Sequence, residues 1–291
     1  MNERLYKWNW VIVQVWPSVS PPRRVACTAS SGRRLGGGGM TLGVTLHHGV
    51  ADGRSLWRTK VSKFVRSHRR APQATTPSIL HEDRLRFTRW TFTVDAQHIE
   101  RLKQRIARVG EESQGAPPLR RPPSTFVAVV ALAWTCFARC RPFPADDDVF
   151  LFFFADVRDR LDRPAGADYF SACISRCLAR LPALAAAVSA AQGAVREVTE
   201  DPLAGWEFAT TPSEVPMDRL MNVSGSPGFR VYEAADFGWG RPRRTENVKM
   251  NHDGQVALVR ARDGDGVQVS VSALRRAHMD AFKSEFLSLL A

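Results

Sequence analysis

The sequence has no uninterrupted apolar run close to the roughly 18 residues that a membrane-spanning helix requires. Its N-terminus also lacks the basic-then-apolar layout of a secretory leader. Cysteine is scarce, with five residues in a chain of 291, and an odd count without a leader argues against a disulfide framework. We therefore expect a cytoplasmic protein with no membrane partner.

Motifs for two common chemistries are missing as well. The four glycines at positions 36–39 lack the lysine and the spacing of a phosphate-binding loop, so we predict a hairpin connection there. A G-x-S-x-G nucleophile motif does not occur in the chain. The sequence thus gives no indication of a covalent serine intermediate.

Four of the cysteines form two C-x-x-x-C pairs, Cys136 with Cys140 and Cys173 with Cys177. Four thiolates could in principle bind zinc. Both pairs lie in apolar stretches, where cysteine commonly behaves as a small buried hydrophobe. We therefore predict no metal site and no bound cofactor.

Positive charge is what the sequence has in excess, with a formal net charge of +12. Such a charge raises the possibility of nucleic-acid binding. The arginine doublets are scattered, however, and no helix-turn-helix or zinc-finger pattern accompanies them. We expect a solvated arginine-rich surface and no nucleic-acid partner. Such a surface would also attract small anionic ligands.

Hydrophobic periodicity predicts a chain that mixes strands and helices. Strands are predicted at residues 8–16, 40–46, 88–94, 149–155, 217–223, 229–233, 255–262 and 266–272. Helices are predicted at residues 54–65, 95–109, 124–140, 182–198 and 273–290. The stretch 17–39, rich in Pro, Ser, Arg and Gly, is predicted to be a loop.

The strand at 40–46 ends in His47-His48, and an Asp52-Gly53 pair follows. Asp-Gly favours a turn, and histidine suits a general base because its pKa lies near neutrality. A carboxylate four residues after His48 could hold the imidazole in one orientation. A single histidine is nevertheless more often structural, so this stretch alone does not assign a function.

A second stretch far downstream favours a functional role for His48 over a structural one. Together, His48-x-x-x-Asp52-Gly53 and Asp236-Phe237-Gly238-Trp239-Gly240 resemble the two signature motifs of the plant BAHD acyltransferases, in the family's order. Further stretches that resemble family landmarks lie between them: Ser124-Thr125-Phe126, Asp156-x-Arg158-x-Arg160-Leu161-Asp162 and Tyr169-Phe170-Ser171-Ala172-Cys173. The last is similar to the Tyr-Phe-Gly-Asn-Cys signature of the clade that acylates flavonoid and phenolic glycosides, and departs from it at Ser171 and Ala172.

The resemblance implies a two-domain α/β fold, similar to chloramphenicol acetyltransferase, with mixed sheets flanked by helices. Residues 1–109 would be the N-terminal domain with the histidine motif, and residues 124–291 the C-terminal domain with the Asp236 motif. The proline-rich stretch 110–123 would be the crossover linker between them. Because family members carry a longer segment before the histidine motif, we expect the N-terminal domain to be incomplete and truncated.

The activity implied by the resemblance is acyl transfer. An acyl group, malonyl or hydroxycinnamoyl, would pass from acyl-CoA as co-substrate to a hydroxyl of a phenolic or flavonoid (anthocyanin) glycoside. His48 would be the general base, with His47 as the weaker candidate, and no covalent acyl-enzyme would form. We expect a monomer. The alternative is an inactive homologue, either an unstable fragment or a binding protein.

Further roles follow from the same resemblance. Asp52 would either orient His48 or pair with an arginine, for which Arg160 is the candidate. Asp236 is expected to be catalytic or to hold its loop, with Arg158 as its candidate partner. The loop residues with a structural role would be Gly53, Phe237, Gly238, Trp239 and Gly240. Ser224 and Ser226 are candidate oxyanion donors because they lie upstream of that loop, although Ser-Gly-Ser-Pro is also ordinary turn sequence.

Overall fold

The computed structural model describes residues 8–15, 28–34, 40–47, 54, 87–112, 122–144, 147–166, 169, 173–181, 187–203, 215–234, 241–247, 250, 253–273 and 275–291. Within these residues the chain forms a four-stranded sheet, a six-stranded sheet and a set of flanking helices. The prediction of an α/β fold with mixed sheets is confirmed.

The described strands and helices have the following bounds. The strands are β1 (Trp8–Val15), β2 (Thr28–Arg34), β3 (Met40–His47), β4 (Thr88–Val94), β5 (Val149–Asp156), β6 (Ile174–Leu181), β7 (Leu220–Gly225), β8 (Arg244–Asn247), β9 (Gln255–Arg260) and β10 (Val267–Ala273). The α-helices are α1 (Ala96–Glu112), α2 (Thr125–Arg139), α3 (Ala187–Glu200), α4 (Val231–Ala234) and α5 (Arg276–Leu290), and a 3-10 turn, Met217–Arg219, precedes β7.

The four-stranded sheet has the order β2-β3-β1-β8. β1 runs parallel to both β3 and β8, and β2 is antiparallel to β3. The loop predicted for residues 17–39 is therefore wrong at 28–34, because the edge of β3 pairs with a stretch whose composition alone does not favour a strand. The hairpin connection predicted at 36–39 lies outside the described residues, and the strands on either side of it, β2 and β3, are antiparallel partners.

The six-stranded sheet has the order β4-β10-β9-β7-β5-β6. β5, β7 and β9 run parallel to one another, and the outer strands are antiparallel to their neighbours. Each sheet draws strands from both sides of residues 110–123, since β4 pairs with β10 and β8 pairs with β1.

The main core lies between the six-stranded sheet and a layer formed by α1, α2, α3 and α5. α2 is buried along most of its length, as expected of a helix that is apolar all round. The hydroxyl of Ser124 caps it by accepting a hydrogen bond from the Val127 amide at 3.2 Å. The strand alternation divides β5, so that Phe153 faces these helices and Phe152 belongs to a second cluster.

The predicted strand at 229–233 is wrong, because the chain there forms the short helix α4. β7 already has β5 on one side and β9 on the other, so the sheet offers no open edge at this point. The cysteine pairs lie in the apolar interior, and burial raises the pKa of Cys177 to about 12 and raises that of Cys136.

Candidate functional site

The parallel run of β5, β7 and β9 gives the six-stranded sheet two unlike edges. We call the edge where these strands end, at Asp156, Gly225 and Arg260, the carboxyl edge. The edge where they begin, at Val149, Leu220 and Gln255, is the amino edge. Ligands of α/β sheets bind preferentially outside the carboxyl ends of strands, so the carboxyl edge is the place to examine.

The segment that follows β5 is held by a group of charges around Asp156. The Asp156 carboxylate accepts a hydrogen bond from the Arg158 amide at 3.0 Å and lies 3.2 Å from the Arg158 guanidinium. Arg160 donates to the Asp156 carbonyl at 2.9 Å. The Arg158 side chain is buried and its guanidinium lies 5.6 Å from the centre of the Tyr169 ring. These contacts fix the position of Asp156.

A residue from the first part of the chain reaches the same carboxylate. Arg54 donates to Asp156 at 2.9 Å and to Asp159 at 2.8 Å. The hydrogen bond to Asp159 is the main reason that the pKa of Arg54 is raised, and Asp156 adds to the effect. Arg54 comes directly after Gly53, so the histidine motif leads into a residue bound at the carboxyl edge.

The turn after β7 depends on a glycine in a left-handed conformation. Gly225 has φ of 83°, and a Cβ there would overlap the carbonyl oxygen of Leu258 in β9. The Ser226 amide donates to that same carbonyl at 2.9 Å. The Ser226 hydroxyl accepts from the Gly228 amide at 3.1 Å, which closes the turn. The turn leads the chain away from the sheet toward α4.

Ser224, the candidate oxyanion donor, lies in β7 one residue before this turn and is partly buried. Its hydroxyl donates to the Val256 carbonyl at 3.4 Å, which is a long hydrogen bond. A bond of this length is one that a stronger acceptor could replace. The role of Ser224 stays a prediction.

A buried polar cluster links the carboxyl edge to the four-stranded sheet. The Tyr232 hydroxyl in α4 donates to the Gln268 side chain in β10 at 2.5 Å. The same hydroxyl accepts from the Thr245 amide in β8 at 3.1 Å, and Gln268 donates to the Thr245 carbonyl at 2.9 Å. Burial raises the pKa of Tyr232. We call these three residues the tyrosine clasp.

Most of the predicted catalytic and loop residues lie outside the described residues. They are His48, Asp52, Gly53, Asp236, Phe237, Gly238, Trp239 and Gly240. The chain on either side of them is described, however. β3 ends at His47 and Arg54 lies at the carboxyl edge, while α4 ends two residues before Asp236 and β8 begins at Arg244.

The arrangement therefore brings one flank of each predicted motif, Arg54 and α4, to the carboxyl edge, while the other two flanks, β3 and β8, lie in the four-stranded sheet. Six residues of chain can place His48 no farther than roughly 22 Å from Arg54. A base on one flank and hydrogen-bond donors on the other could act on one reacting group between them. Arg158 and Arg160 both lie at this edge and both contact Asp156. The predicted Asp52–Arg160 and Asp236–Arg158 pairs fall partly on residues outside the described set.

The sequence reasoning missed Arg54 and the tyrosine clasp. A signal existed for Arg54, because it directly follows the Asp-Gly pair and the chain later offers a run of alternating charges at 156–162. Tyr232 and Gln268 gave no such signal, since a buried tyrosine and glutamine are recognised only when their partners are known.

The described part of the chain lacks two kinds of feature, a metal-binding cluster and a membrane-spanning helix. No group of three or more His, Cys, Asp or Glu side chains there has the arrangement of a metal site. Every helix in that part is too short or too polar to cross a membrane.

The sequence matches a known family. The family model named Transferase family matches residues 63–289 of this chain. Phenolic glucoside malonyltransferase 2 of Arabidopsis thaliana is 29% identical over 214 residues, which are 67% of this chain and 44% of that protein. Agmatine coumaroyltransferase of Arabidopsis thaliana is 28% identical over 211 residues, covering 68% of this chain and 45% of that protein.

A malonyl-CoA:anthocyanidin 5-O-glucoside-6''-O-malonyltransferase of Arabidopsis thaliana is 25% identical over 303 residues, with 85% of this chain and 65% of that protein covered. The chain spans about half the length of the curated relatives it matches. Among solved structures, vinorine synthase superposes with a TM-score of 0.66 at 17% identity, covering 94% of this chain and 68% of that chain. TRI101 of F. sporotrichioides, complexed with coenzyme A and T-2, gives 0.65 at 15% identity and covers 96% and 80%.

Proposed function

The chain belongs to the Transferase family, and from that membership we propose that it transfers an acyl group from acyl-CoA to a hydroxyl of a phenolic or flavonoid glycoside. The names of the malonyltransferase and coumaroyltransferase relatives support the reaction class. The observation that carries the proposal is the binding of Arg54 to Asp156 and Asp159, since it ties the histidine motif to the carboxyl edge.

In the proposed mechanism His48 is the general base. Its neutral imidazole takes the proton from the acceptor hydroxyl as the oxygen attacks the thioester carbonyl. The tetrahedral intermediate then collapses, the C–S bond breaks, and CoA leaves as its thiol after receiving the proton from the imidazolium. No acyl-enzyme is needed, so the acyl group moves in one displacement from sulfur to oxygen.

Negative charge on the carbonyl oxygen of the intermediate requires hydrogen-bond donors. We propose the Ser224 hydroxyl as one of them, because its present bond to the Val256 carbonyl is long. Asp52 and Asp236 would act by holding their turns, each through an arginine of the 156–162 segment. Breaking such a pair from one side leaves an uncompensated charge, so replacing either aspartate by alanine should lower activity through the fold.

The acyl donor that we favour is malonyl-CoA, with a hydroxycinnamoyl-CoA as the second candidate. Two of the three relatives described above are malonyltransferases by name. The net charge of +12 suits a donor whose acyl group carries a carboxylate in addition to the CoA phosphates. The cytosol is the compartment we propose for the reaction.

Release of free thiol from malonyl-CoA and from p-coumaroyl-CoA, each with a panel of phenolic glucosides, tests this function. We expect acceptor-dependent release with one of the two donors, and a loss of about 10²–10⁴-fold in kcat for His48→Ala. His47→Ala is the matched variant, since it removes the neighbouring imidazole, and it should keep most of the rate.

Equal rates for wild type and His48→Ala would remove His48 from the mechanism. A wild-type chain that melts cooperatively but releases no thiol with any donor would instead support the competing assignment, an inactive homologue that binds without turning over.

A further inference from the structure

Arg54 directly follows the histidine motif, and its side chain contacts the end of the six-stranded sheet. Its Nη1 atom donates to Asp156 Oδ2 and to Asp159 Oδ2, and its Nη2 lies 3.5 Å from Asp159 Oδ1. The two acceptors are 102 and 105 residues away in sequence. The Arg54 and Asp156 side chains retain 25% and 29% of their exposure, so this pair is shielded in part from solvent.

The acceptor side of this contact is rigid. β5 is paired with β6 on one side and β7 on the other, so its end cannot shift without disturbing the sheet. Asp156 is further held by the Arg158 amide and guanidinium and through its own carbonyl by Arg160. A guanidinium bound to such a carboxylate takes its position from the sheet.

We propose that Arg54 is a positioning residue, which anchors the segment that carries His48 and Asp52 on the end of β5 and so helps His48 to act as the general base. The proposal rests on the proposed function of His48. General-base catalysis requires the base within hydrogen-bond reach of the acceptor hydroxyl, and a displacement of about 1 Å can cost about 10²-fold in rate.

The contact uses the shape of arginine as well as its charge. A guanidinium carries several N–H donors in a fixed plane and can bind two carboxylates together, whereas a lysine ammonium is a point charge on a flexible stem. A lysine side chain at this position would keep the attraction but lose the fixed geometry. The substitution Arg54→Lys therefore separates charge from orientation.

The opposite end of β5 offers a matched control. Asp147 lies just before β5 and pairs with Arg219, just before β7, at 2.6 Å. The exposures of these side chains, 30% for Arg219 and 25% for Asp147, are close to those of Arg54 and Asp156. The control pair lies at the amino edge, at the end of β5 opposite to the one that Arg54 contacts.

The experiment compares Arg54→Gln, Arg54→Lys and Arg219→Gln in the thiol-release assay. For Arg54→Gln we expect kcat to fall about 10- to 100-fold while KM for acyl-CoA changes less than about threefold. Arg54→Lys should fall between wild type and Arg54→Gln. Arg219→Gln should lower the melting midpoint slightly and leave kcat unchanged.

Two results would overturn the proposal: Arg54→Gln with the wild-type kcat, or equal losses in Arg54→Gln and Arg219→Gln. A double-mutant cycle of Arg54→Gln and Asp159→Asn, followed by thermal unfolding, measures the coupling between these two side chains and does not require enzyme activity. If wild type releases no thiol but the cycle shows coupling, the proposed function fails and the anchor stands. If wild type is active and the cycle is additive, the anchor fails alone.

Discussion

The two edges of the six-stranded sheet carry similar residue types and use them differently. At the amino edge, two ion pairs join the ends of strands that already neighbour one another: Asp147 with Arg219, and Asp148 with Arg180. At the carboxyl edge, Arg54 binds Asp156, and the tyrosine clasp binds β8 of the four-stranded sheet. Both contacts therefore join the six-stranded sheet to segments that are not part of it.

This difference separates stability from positioning. An ion pair between adjacent strands adds little to what the backbone ladder already fixes, because such partly exposed pairs contribute about 0–1 kcal/mol. A polar contact between two sheets sets how those sheets sit relative to each other. Comparable substitutions at the two edges should therefore differ more in their effect on the transfer rate than in their effect on stability.

The largest loss of stability is expected when alanine replaces a glycine whose added Cβ would collide with a neighbouring residue. Gly225 at the carboxyl edge has φ of 83° and faces the Leu258 carbonyl, and Gly254 at the amino edge has φ of 79° and faces the Phe137 ring. Alanine at either position should lower the free energy of unfolding by about 3–4 kcal/mol, from backbone strain and overlap together. Denaturant unfolding measures this cost.

The same pair of variants then tests the edges against each other. Gly225→Ala should also lower kcat of the folded fraction, since Ser224 and the chain toward Asp236 are displaced, whereas Gly254→Ala should not. Gly264 has φ of 87° with open space around it, so Gly264→Ala isolates the strain at about 1–2 kcal/mol. Equal kcat in all three variants would contradict the distinction between the edges.

A smaller effect is expected when one buried hydroxyl is removed at each edge. Tyr232→Phe leaves the Thr245 amide without its acceptor and the Gln268 oxygen without its donor, at a cost of about 2 kcal/mol. Ser272→Ala at the amino edge removes a donor to the Met250 carbonyl, which still accepts from Arg89, and should cost about 1 kcal/mol.

Thermal melts and the thiol-release assay separate these two variants. Tyr232→Phe should lower kcat, because β8 follows directly on the Asp236 loop and its position depends on the clasp. Ser272→Ala should leave kcat unchanged. A loss of rate in Ser272→Ala as large as in Tyr232→Phe would argue that both act through global stability.

The smallest effect is a pH dependence of stability. Burial raises the pKa of Tyr232 above its unfolded value near 10. The neutral phenol therefore stabilises the fold fully below about pH 10, and this contribution is lost as the pH rises through the folded pKa. Unfolding free energies between pH 8 and 11 should fall less steeply in Tyr232→Phe than in wild type. Parallel slopes would show that the hydroxyl is not desolvated in solution.

Local patterns in the sequence predicted much of the fold. The strand that forms β4, the helix that begins after Ser124, and the two strands β9 and β10 were all predicted with nearly the observed bounds. In each case the signal is short-range: strand alternation, an N-cap hydroxyl or a turn residue. The two signature motifs were likewise visible as short stretches, and their roles stay predictions.

What failed was long-range. β2 forms because β3 presents an edge, although residues 17–39 favour a loop, and α4 replaces a predicted strand because β7 has neighbours on both sides. The parallel pairing of β1 with both β3 and β8 is also absent from any local pattern. Propensity is a weak guide wherever pairing between distant segments decides the outcome.

The sequence by itself determined the family, the main helices and strands, and the residue types available for acyl transfer. Only the tertiary structure decided that Arg54 would meet Asp156 across 102 residues and that Tyr232 would join two sheets. The physical reason is that an ion pair or buried hydrogen bond depends on where both partners lie. A linear sequence shows each partner alone, and only the folded chain brings the two together.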